Sequence, residues 1–180
     1  MKTLAKWTIE DYHRMIEAGI LCDRQVELLN GEIVELTPEG PSHTFYGEEL
    51  ADYLRSCLTG QALIREARPI TLADSEPEPD IAIVKPPREN YRDRHPDPED
   101  IFWVIEVSES SLKKDLELKK QIYATANIQE YWLINLKSKQ LIVFRSPTGT
   151  DYLSRQDISQ GYIAPLTFPT VQVLVERLLA

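Results

Sequence analysis

Three charged side chains stand where the surrounding pattern asks for apolar ones. The run Ile101-Phe102-Trp103-Val104-Ile105-Glu106-Val107 is apolar at every position except Glu106. That is the pattern of a strand covered on both faces, so Glu106 should be enclosed. An enclosed carboxylate without a partner costs several kcal/mol or takes up a proton, so Glu106 calls for a cation. Asp80 opens a shorter apolar run, Ile81-Ala82-Ile83-Val84, behind Pro77-Glu78-Pro79, whose prolines hold the approach extended. If the two runs are antiparallel neighbours, both carboxylates share one sheet edge. Like charges that close raise each other's proton affinity unless a divalent cation sits between them, and oxygen donors suit magnesium or manganese better than zinc. Lys119 is the third. At ~100° per residue, Leu112, Asp115, Leu116, Ile122, Tyr123 and Ala126 fall on its side of a helix, whereas Lys113, Lys114, Glu117, Lys120 and Gln121 fall on the other. Its ammonium either pairs with Asp115 at i, i+4 or is directed at the two carboxylates.

The elements that must position these groups are legible in outline. Thr8 with Glu10 and Asp11 reads as the cap and acidic first turn of a short helix closed by Gly19. Val26 to Leu29 and Glu32 to Leu36 flank Asn30-Gly31, the dipeptide that best tolerates positive φ at both turn positions, which predicts a hairpin. A helix capped by Ser42 carries Tyr46, Leu50, Tyr53, Leu54, Cys57 and Leu58 at helical spacing and should end near Gly60. Strands are expected over Leu63 to Arg68, Asp80 to Val84 and Ile101 to Val107, with the Pro-, Arg- and Asp-rich stretch from Lys85 to Asp100 as a long loop. A helix from Leu112 to Ala126 follows, then strands Tyr131 to Asn135, Leu141 to Arg145 and Tyr152 to Arg155. The tail from Val171 to Leu179 reads as strand or helix. This order describes an α/β domain with mixed strand directions.

The chain of 180 residues carries 20 Lys and Arg against 29 Asp and Glu, a net charge of −9. One domain over residues 1–180 is expected, with the first helix and hairpin (7–36) leading into the core. The acidic balance excludes a protein that coats nucleic acid by charge alone. No apolar run approaches the ~20 residues that cross a bilayer, and Lys6 interrupts the N-terminus before a signal sequence can form, so a cytoplasmic protein without membrane contact is expected. Cys22 and Cys57 have no partner at metal-ligand spacing and read as buried free thiols. His13, His43 and His95 form no zinc pattern.

Glu27-Leu28-Leu29-Asn30-Gly31-Glu32, His43, Pro79-Asp80-Ile81-Ala82-Ile83-Val84, Glu106-Val107-Ser108, Asp115-Leu116-Glu117-Leu118-Lys119 with Tyr123, and Glu130-Tyr131-Trp132 together resemble the Uma-type endonuclease family of the PD-(D/E)XK superfamily. The resemblance spans roughly Trp7 to Phe168. It implies a restriction endonuclease-like fold, a central mixed sheet flanked by helices. It also implies that Asp80 matches the aspartate of the PD motif and Glu106 the acid of the (D/E)XK motif, both ligating metal with the backbone carbonyl of Val107. Ser108 stands where the simplest form of the motif has its lysine, and Lys119 on the following helix fits the displaced role.

The expectation is therefore a Mg2+- or Mn2+-dependent endonuclease hydrolysing DNA phosphodiester bonds, with Asp80, Glu106 and Lys119 catalytic. Glu27 and His43 are accessory candidates. Glu27 reads equally as an outer metal ligand or a solvated hairpin position, and His43 as a core or cap histidine or a catalytic one. Cations from Lys85, Arg88, Arg92 and Arg94 should offset the repulsive field, and a homodimer would suit a duplex. Two other readings stay open: a non-catalytic nuclease-fold protein that binds a protein partner or a second copy, and a hydrolase of small phosphate esters.

Overall fold

Alternating and continuous apolar runs assemble into one six-stranded sheet in the computed structural model, which describes residues 4–36, 38, 40–109 and 111–179. Its strands are β3 (Leu63–Glu66), β4 (Ile81–Val84), β5 (Ile101–Ser108), β6 (Glu130–Asn135), β7 (Gln140–Thr148) and β8 (Asp151–Ile158), in that spatial order. All neighbours are antiparallel except β5 and β6, which run parallel. A parallel pair needs a crossover. Here it is the helical stretch between them: α3 (Leu112–Lys114), a π-helical segment (Asp115–Lys119) and α4 (Lys120–Thr125).

Each sheet face is covered. On one, Ile81, Ile83, Trp103, Ile105 and Trp132 pack against Leu50 and Leu54 of α2 (Pro41–Cys57) and against the tail. On the other, Ala82, Val84, Val104, Tyr131 and Leu133 pack against Ile122 and Tyr123 of α4. The tail is both strand and helix: β10 (Val173–Leu174) pairs with β9 (Tyr162–Ile163), then α5 (Val175–Leu178) follows. Ahead of the sheet, α1 (Ile9–Glu17) lies on the hairpin β1 (Val26–Leu29) and β2 (Glu32–Glu35), sharing a small core of Tyr12, Val26 and Leu28. The Thr8 cap forms with Asp11 as the reciprocal partner, and Asn30 and Gly31 take φ of 49° and 71°, as the turn requires.

Four expectations need correction or refinement. The cap of α2 is Gly40, with Pro41 in the first turn, rather than Ser42; proline's fixed φ starts the helix earlier. The loop from Lys85 to Asp100 contains two 3-10 turns, Arg88–Tyr91 and Pro98–Asp100. Cys22 is exposed in the turn after α1, although both thiols are free as expected. Lys120 is not simply solvated: it reaches Asp151 on β8 at 2.7 Å and lies over the Phe144 ring. Among the described residues no helix is long and apolar enough to cross a membrane.

Candidate active site

The antiparallel pairing of β4 and β5 places Ile81 opposite Ile105, so the residue before one strand meets the residue near the end of the other. The Asp80 amide donates to Glu106 Oε2 at 3.3 Å, and the Val107 amide donates to Asp80 Oδ2 at 2.6 Å. Both acids line a cleft of about 820 Å³. Glu106 is 5 % exposed; its other oxygen accepts from Tyr123 Oη at 2.5 Å and lies 3.4 Å from Lys119 Nζ. Burial pushes its carboxyl up to about 8, an effect that Lys119 opposes and the neighbouring Asp80 and Asp115 reinforce.

Lys119 does not pair with Asp115. That carboxylate accepts from Ser111 Oγ, while Lys119, 3 % exposed, donates to Glu27 Oε2 at 2.7 Å. Burial depresses the ammonium, but Glu106 and Glu27 outweigh it and hold its proton more tightly than an ordinary lysine does. Glu27 is fully buried, so the solvated hairpin reading is wrong. Its second oxygen accepts from Lys114 at 2.7 Å, and the Glu78 amide adds a third bond. Burial raises the Glu27 carboxyl, yet the Lys119 charge and the two lysine hydrogen bonds bring it below its usual value.

His43 projects from the first turn of α2 into the same cleft. Its Nε2 donates to the Val107 carbonyl at 2.8 Å and lies 3.2 Å from Asp80 Oδ2. It lines the cleft and belongs to neither apolar cluster of the sheet. The structure thus gathers Asp80, Glu106, Lys119, Glu27, His43 and the Val107 carbonyl around one cleft. Sequence reasoning did not assign Lys114 to it, nor give Tyr123 its role on Glu106, although the inward position of Tyr123 one turn beyond Lys119 was a usable signal. Arg92 and Arg94, expected to offset the field, line a separate pocket, and the cations of the cleft are Arg24, Arg68, Lys114 and Lys119.

Among the described residues no group of three or more His, Cys, Asp or Glu side chains forms a ready metal cage. The donor set at the sheet edge is two carboxylates and one backbone carbonyl, all hard oxygens. Such a set fits magnesium, which keeps several waters and takes one or two protein carboxylates. It does not fit zinc.

The sheet order, its crossover helix and the flanking α2 define a nuclease-like α/β fold. The chain is similar to the crystal structure of a "putative nuclease belonging to DUF820" from Anabaena variabilis ATCC 29413, at 17 % identity and a TM-score of 0.67, covering 86 % of this chain and 89 % of that one. It belongs to the Uma2 family, described as "Putative restriction endonuclease", whose model matches residues 9–176. Family and fold class agree with the resemblance read from the sequence. No curated protein matches the chain.

Proposed function

We propose that this member of the nuclease family is a metal-dependent enzyme that hydrolyses DNA phosphodiester bonds. One observation carries the reading: two acids 26 residues apart and a buried lysine from the crossover helix meet in one cleft. Asp80, Glu106 and the Val107 carbonyl would hold Mg2+ or Mn2+. When bound, the ion supplies Lewis acidity at phosphate and water. Lys119, whose proton is held tightly, supplies fixed positive charge where negative charge develops on the phosphate. Glu27 keeps that ammonium in place, and Tyr123 orients Glu106.

The test is cleavage of DNA, offered both as single strand and as duplex, with magnesium or manganese and with Glu106→Ala as control. Metal-dependent cleavage that disappears in Glu106→Ala supports the reading, and cleavage that survives in the variant defeats it. One observation favours a second reading, a non-catalytic nuclease-fold protein: His43 Nε2 already sits on the Val107 carbonyl and beside Asp80. Thermal stabilisation separates the two. An enzyme is stabilised by millimolar magnesium or manganese, and Asp80→Ala loses the effect; a metal-indifferent melting temperature favours the second.

A further inference from the structure

Resting on that hydrolytic reading, we propose that the cleft takes a single strand of nucleic acid, or an unpaired strand end, in preference to intact duplex. The cleft has two unlike sides. Its floor is charged, with Asp80, Glu106 and Lys119 from the sheet and crossover helix. Its wall is built by the N-terminal unit and carries apolar side chains, Ile16, Leu21 and Leu36, beside Arg24 and Gln25; Ile16 is 50 % exposed. Single strands present phosphates on one side and unpaired base faces on the other. A duplex presents phosphates and hides its base faces, so it offers nothing to the apolar side chains of the wall.

The cations point the same way. Duplex binding draws on many Lys and Arg side chains that can each replace a counterion. Here several of them pair with neighbouring acids: Arg55 with Asp52 and Glu66, Arg94 with Asp97 and Asp100, Lys120 with Asp151, Arg155 with Asp157. At the cleft Lys114 is held by Glu27. Arg68, on the Ala67 carbonyl at 2.8 Å, makes no ion pair among the described residues. Arg24 meets Glu35 only at 3.9 Å. A reacting phosphate must also descend to a nearly buried Glu106, which a flexible strand does more readily than a rigid double helix.

The experiment measures binding of a labelled oligonucleotide of about 15 nucleotides, near the upper size for one binding module. It is offered as single strand and as duplex of the same sequence, to the full chain in calcium; cleavage is then followed in manganese. We expect the single strand to bind about tenfold more tightly than the duplex, on the scale of one base contact, and to be cut faster. Ile16→Ser should weaken single-strand binding about fivefold through lost apolar contact, with duplex binding and melting temperature unchanged. Equal or tighter binding of duplex overturns the inference, as does an Ile16→Ser variant that binds single strand normally. A single strand that binds in this way but is not cut leaves the inference standing and removes the hydrolytic reading. Cleavage of duplex with no binding of single strand does the reverse.

Discussion

Lys119 and Lys120 are adjacent residues with opposite tasks, which makes them the sharpest comparison in the chain. The first is buried between Glu27 and Glu106, and the second, at the start of α4, reaches Asp151 of β8. Lys119→Ala, like Asp80→Ala, should reduce metal-dependent cleavage by at least about a hundredfold, the scale of losing one preorganised electrostatic contact. Lys120→Ala should retain most of it. Equal losses in a single-turnover assay would remove Lys119 from the chemistry. Glu106 yields a prediction about stability in metal-free solution. Its carboxyl titrates near 8 in the folded chain against 4.5 as an ordinary glutamate. Between those values the folded state holds the proton and the unfolded state does not. The contribution of Glu106 is therefore full below the lower value and falls as pH rises through the higher one. The melting temperature in chelator should drop by several degrees from about pH 5 to about pH 8 on this account, and Glu106→Gln should flatten that slope. An unchanged slope in the variant would assign the pH dependence elsewhere.

At the scale of elements, what was legible in the sequence followed from period. The apolar runs gave every central strand, and the antiparallel neighbours β4 and β5 brought Asp80 to Glu106 as the alternation implied. Helical arithmetic placed Lys119 inward correctly and Lys114 outward wrongly. The reason is the π-helical segment Asp115–Lys119: bonding from i to i+5 brings residues five apart onto one face, so Lys114 and Lys119 both reach Glu27. A uniform angle of 100° cannot show that. Glu27 stayed ambiguous because a lone acid in a four-residue strand looks the same whether it meets water or two lysines 87 and 92 residues away. Lys114→Met should therefore cost about 1–2 kcal/mol, as for loss of a charged hydrogen bond, whereas the exposed Lys113→Met stays within about 0.5 kcal/mol; denaturant titration compares them. The hairpin that delivers Glu27 offers a second test. Gly31 has φ of 71°, and a Cβ there would lie 2.9 Å from Lys6 Cβ and 3.1 Å from the Trp7 carbonyl. Gly31→Ala should cost about 1–3 kcal/mol, and cleavage should fall with it if the hairpin holds Lys119 through Glu27. Activity that survives that destabilisation would detach the hairpin from the site.

For the molecule as a whole, the net charge of −9 sets the long-range field, and six carboxyls line the cleft, Glu27, Glu78, Asp80, Glu106, Glu109 and Asp115, against four Lys and Arg side chains. An anionic polymer approaching this surface is repelled until it reaches the cations of the cleft. Two of the four cleft cations, Lys114 and Lys119, are already neutralised in part by Glu27, so the charges free to replace counterions along the strand are Arg24 and Arg68. Each phosphate neutralised on a single strand contributes about −0.7 to the slope of log affinity against log salt. Two arginines and a bound divalent ion therefore give a slope of about −2, shallow beside the values near −10 of strongly basic duplex binders. Titration between about 50 and about 200 mM salt measures it, and Arg68→Ala should remove about 0.7 from the slope. A slope of about −5 or steeper would mean that nucleic acid engages a basic surface outside the cleft, and the separate pocket bearing Arg92 and Arg94 would then be the first place to look.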